Sequence, residues 1–121
     1  GLISCRSYVS ADSALIFLGG KLNEASLKSI ALAECLSHTA RDRTCVIDLR
    51  NVDLVESSAI ATFAPFLEPK GPGGGQVVFS GACKNIKQMF RVAKTKEKAT
   101  FIDDRQLVRT LSSNAASDIW E

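Results

Sequence analysis

Apolar and polar positions divide the chain into short alternating segments. Leu2–Val9 mixes apolar and β-branched residues and runs into the turn-rich group Ser10-Ala11-Asp12-Ser13. Ala14–Leu18 is a second apolar run, closed by Gly19-Gly20. Two such runs across a short polar connection predict an antiparallel hairpin. From Glu24 to about Ala40 the residues are good helix formers, and Asn23 is placed to cap the first turn through its side-chain oxygen. Leu27, Ile30, Ala31, Cys35 and Leu36 fall on one face of that helix, with Lys28, Glu34 and His38 mostly outside it. Arg41-Asp42-Arg43 is a polar break.

Thr44–Leu49 is β-branched and almost continuously apolar, the pattern of a central strand covered on both faces. A loop over Val52–Ser58 then leads into a helix over Ser57–Leu67, where Ile60, Phe63, Ala64 and Leu67 share one side. Pro65 should kink that helix or end its regular bonding early, because it removes a donor. Pro69–Gly75 is a connector by composition, and Gln76–Ser80 is the next strand. Asn85–Ala93 predicts a helix with Ile86, Met89, Phe90 and Ala93 inward. Thr100–Ile102 predicts a short last strand, and Asp103–Leu111 a helix with Leu107, Val108 and Leu111 inward. The order β-β-α-β-α-β-α-β-α predicts one α/β domain over 1–121, with its core over 13–111 and a polar tail at 112–121. Its mixed sheet of about five strands is mostly parallel, with the first strand added antiparallel. In such sheets, partners meet the loops at the carboxyl ends of the strands, which makes the Val52–Ser58 loop the first candidate site.

Composition bounds the function without naming it. The 121 residues fit one domain, and with 45% hydrophobic and 23% charged residues they resemble ordinary globular sequence. A formal net charge of +2 implies no whole-protein attraction to nucleic acid or to a membrane. The apolar runs fall far short of the roughly 20 residues a spanning helix needs. Residue 1 is Gly, which fits a domain taken from a longer protein or a tag remnant. Cys5, Cys35, Cys45 and Cys83 form no C-x-x-C pair, and His38 is the sole histidine, so no metal site or other cofactor is expected. Buried, reduced cysteines and a cytoplasmic location are expected instead.

Three features carry candidate chemistry. Ser57 is a suitable N-cap for the helix that follows. A phosphate on Ser57 or Ser58 would also be tolerated at a helix start, adding about −1.5 to −2 charges to a nearly neutral surface. Lys84, Lys87, Arg91 and Lys94 line one helical face, expected to be solvated or, alternatively, to dock an acidic partner. No aromatic residue interleaves that face, which disfavours nucleic acid. The Gly71–Gly75 loop precedes a strand and lacks Gly-Lys-Ser/Thr, so it is not a phosphate cradle. His38 has no acid and nucleophile at matching spacing, and Asp48 and Asp53 read as turn formers. The chain is therefore expected not to be an enzyme.

The segment Val46-Ile-Asp-Leu-Arg-Asn-Val-Asp-Leu-Val-Glu-Ser-Ser-Ala-Ile-Ala resembles the signature of STAS domains, the sulfate-transporter and anti-sigma-factor-antagonist family. That signature is a strand ending in Asp-Leu-Ser, a short loop, and Asp-Ser-Ser-Gly-Leu-Gly opening a helix. Leu18-Gly-Gly-Lys-Leu-Asn is similar to the family's Gly-Glu-Leu-Asp turn, and Gly74-Gly-Gln-Val-Val-Phe-Ser-Gly to its Gly-Gly-strand-Gly element. The resemblance covers roughly residues 13–111, and three substitutions depart from it: Glu56 for Asp, Ala59 for Gly, and Asn23 for an acidic residue. It implies a STAS-like domain that binds an anti-sigma factor with serine-kinase activity. Ser58 is then the phosphoacceptor and Ser57 the second choice, and the partner surface includes Asn23, Glu56, Ser57, Ser58, Ala59 and Ile60. The alternative it implies is a subunit or appendage of an anion or lipid transporter, with the serines only capping the helix and the membrane reached only through the partner.

Overall fold

The computed structural model describes residues 3–68, 74–93 and 99–112. Lys94, Lys96, Lys98, most of the Pro69–Gly75 connector and the tail beyond Ser112 lie outside the described residues. Strands β1 (Ile3–Val9) and β2 (Ser13–Leu22) form the predicted antiparallel hairpin, in register from Ile3↔Gly20 to Val9↔Ala14. Strands β3 (Thr44–Val55), β4 (Gln76–Ser80) and β5 (Phe101–Ile102) follow in parallel, giving a five-stranded sheet of order β1-β2-β3-β4-β5.

Four helices cover one face: α1 (Glu24–Ser29), α2 (Leu32–Thr39), α3 (Ser57–Phe63) and α4 (Lys84–Val92). They bury Leu27, Leu32, Leu36, Ile60, Phe63, Ile86 and Phe90 against Ile16, Leu18, Ile47 and Phe79 of the sheet. Helix α5 (Asp104–Ser112) covers the other face, where Leu107 and Leu111 pack on Leu15, Val46 and Val78. Because β3 is covered on both sides, its first half is buried almost without interruption, as its apolar run predicts.

The structure departs from expectation in four places. The single helix predicted over 24–40 is broken, with Ile30 closing α1 and Ala31 in the left-handed region at φ 52° before α2. The buried leucines explain the break. Leu27 and Leu32 are five residues apart, which a straight helix would place about 140° apart around its axis. The break lets both face the core, and it leaves Ala31 exposed and Ile30 and Cys35 only half-buried. Second, Gly19-Gly20 does not end β2; the strand continues to Leu22, beside a β3 that itself continues to Val55. Register shifts at Gly19 and at Gly20-Lys21 absorb the irregularity, and Gly20 takes φ 90°, which its missing Cβ permits. The predicted loop at Val52–Ser58 therefore shrinks to Glu56 alone. Third, Val108 is 62% exposed rather than inward.

The cysteines are the fourth departure. All four are free, but only Cys45 is buried, Cys35 is half-buried, and Cys5 and Cys83 are exposed. Cys83 lies at the N-cap of α4. Pro65 acts as predicted: regular α-helix stops at Phe63 and a 3-10 turn over Ala64–Phe66 finishes the segment. In the glycine-rich connector, Gly75 is fixed by packing. A Cβ there would run into the carbonyl oxygens of Ala40 and Arg43.

Candidate functional site

Leu22 and Val55 are paired neighbours at the upper ends of β2 and β3, so the two chains leave the sheet side by side. Each enters a helix after one residue, Asn23 for α1 and Glu56 for α3. The Glu56 N–H donates to the Leu22 carbonyl at 2.8 Å, extending the ladder into the junction. This adjacency brings together residues that are more than thirty positions apart in sequence.

Asn23 uses both ends of its amide. Its Oδ1 accepts from the Ser26 N–H at 2.8 Å while Ser26 Oγ accepts from the Asn23 N–H at 2.9 Å, a reciprocal capping box. Its Nδ2 donates to Glu56 Oε2 at 2.9 Å, with Lys21 Nζ 3.6 Å from the same oxygen. The two departures from the STAS pattern thus complement each other. An acidic side chain at 23 could cap the helix but could not donate to Glu56, and two carboxylates would repel.

Ser58 Oγ accepts from the Glu24 N–H at 3.0 Å. Glu24 opens α1, so Ser58 satisfies an amide that α1 leaves unpaired. Neither serine caps its own helix: the N-cap of α3 is Glu56, with no side-chain cap hydrogen bond, and Ser57 follows as an exposed first-turn residue. The expected Ser57 cap is therefore absent, and the junction is held across helices by Asn23–Glu56 and Glu24–Ser58. Ala59 and Ile60 are fully buried, so their side chains supply packing under the turn rather than contact surface. Asn23, Glu56 and Ser58 are half-buried and Ser57 exposed, leaving these four as the accessible part of the predicted set.

The Asn23 hydrogen bond, and then the Lys21 charge, hold the Glu56 carboxyl below the ordinary glutamate range. Its stabilising effect is full above that ordinary value and is lost as pH falls through the lowered one. The Glu56 side chain is 43% exposed, so solvent screens the interaction and the effect on stability is small. The titration itself is the sharper readout. Asn23→Ala should move the Glu56 carboxyl pKa up toward the ordinary value in an NMR titration; an unmoved pKa would show that Lys21 alone sets it.

A second polar group lies inside the sheet, where Asp48 of β3 pairs with Ser80 at the end of β4. Asp48, only 1% exposed, accepts from Ser80 Oγ at 2.9 Å and from Arg50 N and Nε at 3.1 Å. Arg50 Nη2 reaches Asp104 at 2.7 Å, tying α5 to β3. Gly81, at φ 68°, passes so close that a Cβ would sit 3.0 Å from Asp48 Oδ2. Asp48 is thus a buried structural acceptor within β3 rather than a turn former, and Asp53 is exposed on the same strand. His38 is exposed on α2. Lys84, Lys87 and Arg91 are all exposed on α4, with Lys87 Nζ 5.7 Å from the centre of the Phe101 ring. Among the described residues, no three His, Cys, Asp or Glu side chains gather as a metal site would require, and no helix is long and apolar enough to cross a membrane.

Sequence reasoning located the Asn23 and Glu56-Ser57-Ser58 turns but not their cross-links. Pairing of Leu22 with Val55 creates those links, and no local pattern announces it. No family model matches the chain, and no curated protein does. Solved structures do. The unphosphorylated anti-sigma factor antagonist SpoIIAA superposes with a TM-score of 0.67 at 11% identity, over 91% of this chain and 97% of that one. An uncharacterised DUF3478-family protein with a SpoIIAA-like fold from Shewanella loihica superposes with a TM-score of 0.53 at 18% identity, over 93% of each chain. The chain therefore carries a STAS-like fold, that of SpoIIAA.

Proposed function

We propose that this chain is a regulatory protein-binding domain of the anti-sigma-factor-antagonist kind, which engages a kinase-type anti-sigma factor through the 55–61 turn and is switched by phosphorylation of Ser58. The observation that carries this reading is the Glu24 N–H to Ser58 Oγ hydrogen bond. It places a serine hydroxyl at the shared start of α1 and α3, where both predicted partner segments meet. Similarity to SpoIIAA supports the same reading at the level of fold.

The hydroxyl accepts from Glu24 and keeps its own proton for transfer when its oxygen attacks a nucleotide γ-phosphate. The product adds about −1.5 to −2 charges beside the Glu56 carboxylate. A phosphate oxygen can still accept from the Glu24 amide, now as a charge-assisted bond, so the start of α1 keeps its partner. The switch therefore acts on the contact surface and leaves the fold intact. Ser57, more exposed but without that contact, is the secondary acceptor.

Incubation with the cognate kinase and ATP, followed by peptide mass spectrometry, tests the acceptor. Ser58 should carry the phosphate, and Ser58→Asp should weaken partner binding by at least about tenfold, roughly 1.4 kcal/mol. Ser58→Asp should leave the melting temperature close to wild type. A partner that binds while both serines stay unmodified contradicts the switch, and a Ser58→Asp protein that binds normally contradicts the interface.

A further inference from the structure

Leu15, Val46 and Val78 form one row across β2, β3 and β4, and Tyr8 of β1 extends that row by pairing with Leu15. Directly opposed residues share a face, so Tyr8 stands on the face that α5 covers. Arg6, two positions along β1 and opposite Phe17, stands on it too. Leu107 and Leu111 of α5 pack on the buried Leu15, Val46 and Val78, but among the described residues no β1 side chain joins that cluster. Tyr8 is 38% exposed, with its ring edge-on to the half-buried Phe17 at 6.1 Å. Around this pair lies an open depression of about 570 Å³, with Arg6, Tyr8 and Phe17 among its lining residues.

Arg6 is exposed, and among the described residues no carboxylate pairs with it. An aromatic shelf beside a free cation suits an aromatic side chain flanked by acids. The chain itself supplies one. Helix α5 starts at Asp104, held by Arg50 of β3, and runs back to Leu111 over the row that Tyr8 ends. Beyond Ser112 the sequence continues to Asp118-Ile119-Trp120-Glu121. The chain from Ser112 to Trp120 can extend over about 26 Å. Three strand spacings, from β4 across to β1, span only about 14 Å.

We propose that the segment 113–121 docks on the β1–β2 half of this face, with Trp120 in the depression against Tyr8 and Phe17 and the carboxylates of Asp118 and Glu121 beside Arg6. The indole adds a third ring to the Tyr8–Phe17 contact and covers apolar surface that α5 leaves open. The guanidinium has donors enough for both carboxylates. Exposed ion pairs contribute little, so the rings supply most of the attraction and Arg6 orients the segment. Helices α1 and α3 lie on the opposite face, so the docked segment leaves the Ser58 junction open.

Trp120 is the sole tryptophan, so the fluorescence of the whole chain reads the docking directly. Its emission should lie to the blue of N-acetyltryptophanamide in the same buffer and resist acrylamide quenching, and dilution should change neither. Tyr8→Ser should shift the emission to that of the free amide. Arg6→Glu should shift it part of the way, and adding Asp118→Lys and Glu121→Lys to Arg6→Glu should restore it. Both single variants alter exposed positions, and circular dichroism checks that they stay folded. Trp120 emitting like the free amide in the unmodified chain overturns the proposal. So does a protected Trp120 that neither Tyr8→Ser nor Arg6→Glu disturbs. Protection that is lost on dilution assigns the contact to a second copy of the chain and overturns docking within one molecule.

Discussion

Phe79→Ala is expected to lower stability by about 3–5 kcal/mol, a large part of the 5–15 kcal/mol typical of a single domain. Phe79 is fully buried in β4, and its ring meets three others: Phe63 of α3 at 5.3 Å, Phe90 of α4 at 4.9 Å and Phe101 of β5 at 5.7 Å. Phe63 and Phe79 meet edge to face at 84°, the arrangement favoured by ring quadrupoles. Phe79→Leu, which retains most of the volume, should cost only a fraction of this. Urea denaturation measures both. A Phe79→Ala loss below about 1.5 kcal/mol would mean that the cluster collapses around the site and that packing here is looser than the rings indicate.

Asp48→Ala should cost about 2–4 kcal/mol by the same measurement. The carboxylate is 1% exposed, and its removal leaves the Ser80 hydroxyl buried without its acceptor. Arg50 loses its inner partner but, at 45% side-chain exposure, can turn to water, which keeps the cost at the lower end for a buried ion pair. The Arg50–Asp104 contact should contribute much less, because Asp104 is 75% exposed and its gain is screened. Asp104→Ala is therefore the matched control, with a loss under about 1 kcal/mol. Equal losses for the two variants would show that Asp48 is not the anchor of this network.

Most of the architecture was legible because each apolar run matched one element's period. Gln76–Ser80 emerged residue for residue, since the apolar run Val77-Val78-Phe79 between Gly75 and Gly81 is too short for a helix. Ile86 and Phe90 fell inward as their spacing required. The break at Ile30-Ala31 stayed hidden because both residues suit a helix interior; only the five-residue step from Leu27 to Leu32 signalled it. The extension of β2 through two glycines was masked by their usual role as terminators. Asp48 was misread because an aspartate near a strand end more often turns the chain than accepts hydrogen bonds inside it.

At the candidate site, the sequence identified the serine turn and Asn23 but misassigned the capping. Ser57 has the chemistry of an N-cap, yet β3 runs on to Val55 and shifts the cap to Glu56. Ser58 instead satisfies α1, and Glu56 reaches back to Asn23. Substitutions that look like erosion of a motif thus form a coupled pair, in which Asn23 donates what an acid could not.

The junction of α1 and α3 is the proposed partner-binding surface. Isotope-labelled chain titrated with a purified kinase-type anti-sigma factor, followed by amide NMR, tests it most directly. Amides of Asn23, Glu24 and residues 55–61 should shift or broaden first, and the effect should fade when Ser58 is phosphorylated. No complex, or perturbation confined to Lys84, Lys87 and Arg91 of α4 while residues 55–61 stay unmoved, would contradict it.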